Sequence, residues 1–216
     1  GASALLVSTE TRLFVLYGSA VDEFRLIQLS ENTGALPKSI QWIGQPVFQN
    51  MFGITMLSTS DRYGGFEESA ISSAVKPFLD ERRSRATASM ICRDKNQYRI
   101  FFDDKTALYV TFKDGKVLGM FRVRLKHKVT CAWSSKLSDQ TELMLIGTED
   151  GGLYKMDVGT SFAGESIPHY IRFAFNHIRS PRVEKHFKRA LIEADADGYC
   201  RVHVGYDLDY GGNRRE

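Results

Sequence analysis

Residues 143–157 read LMLIGTEDGGLYKMD. Leu143, Leu145 and Gly147 alternate with Met144 and Ile146, the period of a β-strand, and Leu153 and Met156 lie on a return strand. Between them stands Asp150-Gly151, a residue tolerant of left-handed backbone beside one that adopts it freely, the chemistry of a tight antiparallel connection. The stretch predicts a β-hairpin, and the same grammar extends over most of the chain.

Upstream, SALLVST and LFVLYG around ETR form another hairpin, followed by EFRLIQL; VFQNMFGITMLST, NQYRIFFDD, ALYVTFKDG and KVLGMFRVRL read as further strands, with Asp114-Gly115 as a second tight turn. Helical periodicity is confined to EESAISSAVKPFLDERR, where Ile71, Ala74, Val75, Phe78 and Leu79 share a face, and Pro77 divides that segment into two short helices. Residues 4–58 and 97–158 each hold about four short strands, the content expected of a β-propeller blade. Closure of a propeller takes at least about four blades. The fold class expected is therefore mainly β, with propeller-like antiparallel blades forming a partial propeller over residues 1–160 and a short helical insertion near 67–83. Beyond Gly164, YIRFAFNH, HFKRALIEADAD and YCRVHVGYDLD suggest three longer strands, a C-terminal antiparallel, sandwich-like β element over 161–216.

Composition narrows the function without naming it. The 216 residues are 43% hydrophobic with a formal charge of only +3, so the chain can bury a core and binds anionic partners only through local clusters. Cys92, Cys131 and Cys200 are odd in number and far apart, which fits a reducing compartment better than a disulfide framework or a zinc ribbon. No apolar run approaches the roughly 20 residues of a membrane span, so a soluble, non-secreted protein is expected. Gly1-Ala2-Ser3 ahead of immediate strand sequence suggests a piece of a longer chain.

Candidate chemistry is sparse. His169, His177, His186 and His203 match no ligand spacing, Asp195 and Asp197 lack the later ligands of a calcium loop, and no nucleophile motif or phosphate-binding lysine occurs. Asp61, Glu67, Glu68, Asp103 and Asp104 are the carboxylates a glycosidase pair would draw on, although Asp103-Asp104 also suits a solvated hairpin loop. No catalytic, metal or cofactor residue is assigned. The basic patterning carries more information: in FRVRLKHKV, Arg122, Arg124, Lys126 and Lys128 fall on one face of a strand, a stripe that could meet phosphates or an acidic subunit, or could guard an edge strand against aberrant pairing. A second cluster in RSPRVEKHFKR carries Arg179, Arg182, Lys185, Lys188 and Arg189, and a third is ERRSR at 81–85. Such cations, without a regular aromatic platform, suit backbone or acidic-partner contact rather than base reading.

The run MLIGTEDGGLYKMDVGTSFAGESI at 144–167, continued by YIRFAFNHIRSPRVEKHFKRALIE at 170–193, resembles segments of phage and prophage tail proteins, the propeller-bearing subunits of the tail hub, nozzle or DNA-stabilising plug. AISSAVKPFL and NQYRIFFDD followed by ALYVTF are similar to the segments that precede the last blade in such proteins, and the likeness spans roughly residues 55–195. The resemblance implies a structural virion component, assembled in the bacterial host cytoplasm, that contacts other tail proteins, forms homo-oligomers in the particle, touches DNA without sequence preference if at all, and needs no cofactor. The basic residues above and the RYGGFEES loop around Tyr63 and Phe66 are the contact candidates. A glycan-binding or glycan-processing propeller and a nucleic-acid-binding module are the alternatives.

Overall fold

The computed structural model describes residues 4–57, 71–174, 176, 180, 182–186, 188–189, 191–193, 195, 201–207 and 214–215. The chain is mainly β and divides into two compact units, Gly1–Ile167 and Pro168–Glu216.

The first unit is a succession of antiparallel meanders. β1 (Ala4–Ser8), β2 (Leu13–Tyr17) and β3 (Arg25–Ser30) form sheet A; β4 (Gln41–Trp42), β5 (Pro46–Asn50) and β6 (Gly53–Met56) form sheet B. After α1 (Lys76–Asp80), β7 (Ala86–Cys92), β8 (Gln97–Phe102), β9 (Thr106–Lys113) and β10 (Lys116–Arg124) form sheet C. Sheet D holds β11 (Val129–Lys136), β12 (Glu142–Thr148) and β13 (Leu153–Lys155), and a short ladder of β14 (Ser161–Phe162) with β15 (Glu165–Ser166) follows. Every pairing is antiparallel between consecutive strands, so each sheet closes locally before the next begins.

Local chemistry accounts for these elements. The hairpin read from residues 143–157 is present as β12 and β13, with Leu145 opposite Lys155 and Gly147 opposite Leu153, and Gly151 takes φ +80°. Asp114 and Gly115 both adopt positive φ between Lys113 and Lys116, the two-residue turn whose twist matches its strands. VFQNMFGITM, read above as one strand, is a hairpin: Asn50 Oδ1 accepts hydrogen bonds from the N–H groups of Phe52 and Gly53, and the chain reverses there. In the helical segment a 3-10 turn at Ser73–Val75 runs into α1, where Pro77 occupies the first turn and its missing N–H goes unneeded.

The sheets stack in chain order. Sheet A packs on sheet B through Leu6, Leu13 and Phe48. Sheet B packs on sheet C through Val47, Ile54 and Met56 against Ile91, Tyr98, Ile100, Phe102, Leu108 and Val110, with Leu79 of α1 alongside. Sheet C in turn packs on sheet D through Met90, Phe101 and Tyr109 against Val129, Met144 and Ile146. Sheet C is thus covered on both faces, and all six residues of β8 are buried.

Polar contacts fix the spacing between sheets. Tyr98 donates its hydroxyl hydrogen to the Ser39 carbonyl at 2.7 Å, and Ser89 Oγ donates to the Lys38 carbonyl at 2.7 Å, tying sheet C to the segment before β4. Ser8 Oγ accepts the Ala35 N–H at 2.7 Å, tying the β1–β2 turn to the same segment. The adjoining Gly34 passes so close that an added Cβ would lie 2.0 Å from the Thr9 carbonyl oxygen.

The second unit differs from its sequence reading. Among its described residues the strands are β16 (Tyr206–Asp207) and β17 (Arg214–Arg215), paired with each other; no strand is assigned among the described residues of 168–205. The alternating apolar residues that suggested strands there, among them Tyr170, Phe173, Leu191 and Val202, are exposed. A strand pattern needs a second layer to bury its apolar face, and these residues have none among the described part of the unit. Cys200 and Leu208, two members of the face expected there, lie outside the described residues.

Gly34→Ala is expected to lower stability by about 2–3 kcal/mol, because the atoms in the way are backbone and cannot rotate aside. Gly44→Ala meets open space and carries only the left-handed penalty of about 1–2 kcal/mol at φ +76°. Urea midpoints at unchanged slope measure both.

Candidate functional site

The basic strand of the sequence reading is β10, the outer edge of sheet C. It ends at Arg124, so the stripe does not continue as one strand face: Lys126 and Lys128 lie in the connection to β11. The Leu125 N–H donates to the Lys105 carbonyl at 2.8 Å, the next rung in the β10–β9 register, and the connection to β11 follows. Lys126 Nζ pairs with Glu165 at 2.7 Å, which raises its pKa above the ordinary lysine value, and the half-buried Lys128 is held through its backbone by Glu149.

Arg122 and Arg124 remain together, opposite Leu108 and Thr106 in the ladder, on the face that meets α1. They line a groove of about 390 Å³ whose other walls are Pro77, Phe78, Glu81, Arg82, Thr106 and Val123. The Phe78 ring carries the Arg82 guanidinium at 4.0 Å and the Arg122 guanidinium at 5.6 Å, both within cation–π range. Arg82 is fully engaged: it donates to the Phe78 carbonyl and to Thr106 Oγ1 at 3.0 Å each, and pairs with Asp104 at 2.8 Å and Glu81 at 3.1 Å. Burial works to raise the Asp104 carboxyl, but hydrogen bonds from Thr106 and Arg82 outweigh it and leave its pKa low. Neither Arg122 nor Arg124 has an acid within ion-pair reach among the described residues.

The third cluster is internal architecture. Arg82 pairs as above, Arg83 pairs with Asp80 at 2.7 Å, and Arg85 with Asp103 at 2.8 Å. These pairs also occupy the two described candidate carboxylates, Asp103 and Asp104, while Asp61, Glu67 and Glu68 lie outside the described residues, as do Tyr63, Phe66, Arg179 and His177. In the second unit Arg182, Lys188 and Arg189 are exposed, and the half-buried Lys185 donates Nζ to the Ser180 carbonyl. Among the described residues no three His, Cys, Asp or Glu side chains group as metal ligands, and no helix is long and apolar enough to cross a membrane.

A second concavity, about 630 Å³, is lined by the first strands of sheets B, C and D (Gln41; Thr87 to Ser89; Thr130 to Ala132) and by the β1–β2 turn. Its lining mixes polar side chains with apolar ones such as Leu36, Pro37 and Ile40, and includes the exposed Cys131.

Sequence reasoning passed over the polar groups that join sheets C and D. Arg99, 1% exposed, projects from β8 toward sheet D and grips Asp157 with Nη1 on Oδ1 at 3.0 Å and Nη2 on Oδ2 at 2.7 Å. Gln97 Oε1 accepts two further bonds, and the guanidinium lies 4.4 Å from the Tyr109 ring centre. Lys95 meets the same carboxylate at 2.6 Å. Burial opposes ionisation of Asp157, yet Arg99 and Lys95 hold its pKa below the usual carboxylate range. Burial likewise pushes the Tyr109 hydroxyl up to about 12. Glu142, its side chain only 2% exposed, accepts the N–H groups of Arg93 at 2.7 Å and Asp94 at 3.0 Å in the β7–β8 turn; these overcome burial and lower its pKa as well. A charge at the middle of QYRIFF was the available signal, since a buried arginine requires an acid partner.

No family model matches the chain, and no curated protein matches it.

Asp157→Asn is expected to destabilise by about 2–3 kcal/mol, below the 3–5 of fully buried pairs because Asp157 keeps part of its surface in water. Asp157 and Glu142 titrate lower folded than unfolded, so their contribution is present above about pH 4 and is lost as pH falls through the lower folded values; urea midpoints from neutral to acid pH follow that loss, less steeply in Asp157→Asn. Arg82→Ala is expected to cost about 1–3 kcal/mol, whereas Arg122→Ala with Arg124→Ala stays within about 1 kcal/mol in the same assay.

Proposed function

We propose that this chain is a structural subunit of a phage or prophage tail, of the hub, nozzle or connector-proximal type, acting through protein–protein assembly rather than catalysis. In this reading its four meander sheets are blades of a propeller-like scaffold. The observation that carries it is the pair of apolar sheet faces at the two ends of the stack. Leu5 and Leu26 on sheet A are 60% and 61% exposed, and Trp133 and Leu153 on sheet D are 51% and 71% exposed, while the faces between are covered sheet on sheet. Contiguous apolar surface of this kind marks a place where another protein sits. The likeness of residues 144–193 to tail subunits supplies the setting, a virion built in the bacterial cytoplasm, with other tail proteins as neighbours.

A non-specific DNA contact is a second reading, favoured by Arg122 and Arg124, which make no ion pair among the described residues and line one groove with Phe78, Arg82 and Glu81. It adds to the assembly role, since phosphate contact needs positive charge but no fixed pocket.

Mass spectrometry of purified tail particles from the source strain tests the main reading: the chain is expected in stoichiometric amount with the other tail proteins, and its absence from intact particles overturns the assignment. For the second reading, binding to a random duplex is expected to show a log–log salt slope about 2 units shallower in Arg122→Ala with Arg124→Ala. Equal slopes remove that face from DNA contact.

A further inference from the structure

The ladder of sheet C fixes which backbone groups of β10 face outward. The Leu125 N–H bonds the Lys105 carbonyl, and bonded rungs alternate in an antiparallel pair, so Val123 and Phe121 bond inward to Ala107 and Tyr109. Met120, Arg122 and Arg124 accordingly turn their N–H and C=O groups to the outer edge. These outward groups meet no hydrogen-bond partner among the described residues. The side chains alternate in step. Arg122 and Arg124 lie on the α1 side and line the groove with Phe78, and the carboxylate in that lining, Glu81, is held by Arg82 at 3.1 Å. Phe121, 48% exposed, and the half-buried Val123 lie on the opposite face, with the Phe121 ring 5.2 Å from that of Tyr109.

An edge with these features selects its occupant. Donors and acceptors alternate along it, so its complement carries both kinds of group on its own main chain, as an extended peptide does; a phosphate backbone offers acceptors alone. Two arginines at alternate positions, neither in an ion pair among the described residues, call for acids at alternate positions, and Phe121 and Val123 call for apolar residues between them. We propose that β10 accepts an added strand from a partner protein, an extended segment in which acidic residues alternate with apolar ones. This rests on the assembly reading above and gives one of its contacts a place and a chemistry. The cations that keep apolar and basic strands off the edge then serve as the feature that admits an acidic one.

NMR titration of the isotope-labelled chain with a capped peptide of about eight residues, glutamate alternating with valine, tests this. The peptide is expected to bind and to slow hydrogen exchange at the Met120, Arg122 and Arg124 amides, while those of Phe121 and Val123, already in the ladder, keep their rates. Binding is expected to weaken about 5–30-fold in Arg122→Ala with Arg124→Ala, and a lysine-for-glutamate peptide is expected not to bind. Two further peptides separate a ladder from plain charge attraction, one N-methylated on every glutamate and the other on every valine. A strand added to an edge presents alternate N–H groups to it, so one of the two keeps its affinity and the other loses binding. Equal affinities of the two overturn the proposal, as does binding that the arginine substitutions leave unchanged. A chain that takes no peptide also overturns it, and if a random duplex binds through the same two arginines, the groove belongs to nucleic acid instead. None of these outcomes decides the virion assignment, which rests on the composition of the particles.

Discussion

Water reaches neither face of β8. That burial sets the terms for the whole first unit, because a strand with no solvent side cannot follow the usual alternation of apolar and polar residues and must be apolar throughout or have each polar group satisfied. Tyr98, Ile100 and Phe102 meet sheet B, and Phe101 meets sheet D, each worth about 1.5–3 kcal/mol when fully removed from water. Arg99 is the exception, and its position dictates much of what surrounds it. An unpaired guanidinium at that depth is untenable, so Asp157 must arrive from beyond β13 and Gln97 must turn its amide oxygen inward. Sheet D is thereby held in one register against sheet C, where apolar packing alone would tolerate sliding. Glu142 acts in the same way from β12, filling the concave turn between β7 and β8 with a carboxylate that only one placement of the sheets can supply.

Division of labour among the charged residues follows from the same geometry. Arginines near α1 divide into those that hold the protein together and those that face outward. Arg82, Arg83 and Arg85 each close on a carboxylate of their own unit, so the run ERRSR, although dense in positive charge, projects little of it. Arg122 and Arg124 sit on an edge strand and make no ion pair among the described residues. An edge needs such charges in any case, to discourage stray strands from pairing. Guarding the edge and receiving an anionic partner are compatible duties for the same side chains.

Strands with strong hydrophobic contrast were legible from the sequence. LFVLY, QYRIFF, ALYVTFK and ELMLIGT lie where alternation or apolar runs put them, and both Asp-Gly turns lie at hairpin connections. The first strands of sheets C and D were not: ATASMIC and VTCAWSSK are rich in Ala, Thr, Ser and Cys, with too little contrast for periodicity to register. Their small side chains have a structural reason, since these strands approach each other where the sheets converge on the central concavity. Without them the chain reads as two four-stranded groups, whereas the structure holds four sheets. Period-2 patterning also carried the basic stripe past Arg124, because side-chain alternation does not reveal where a strand ends and its connection begins. Pairings such as Arg99 with Asp157 and Glu142 with the Arg93 turn join residues about 50 positions apart, and no local pattern announces them.

The strictly sequential pairing of strands also bears on how the protein forms. A meander makes its hydrogen bonds between neighbours in the chain, so sheets A and B can assemble on the ribosome before the residues of sheet D have been synthesised, with little loop entropy to overcome. Glu142 and Asp157 break this independence, each completing a polar group of sheet C from sheet D or beyond it. The turn between β7 and β8 emerges about 50 residues ahead of the carboxylate that satisfies its N–H groups, so the nascent sheet C carries an unfinished corner until β12 arrives. Translation therefore leaves a window in which the buried heart of the domain is already paired within itself yet still open along the side where its successor will land.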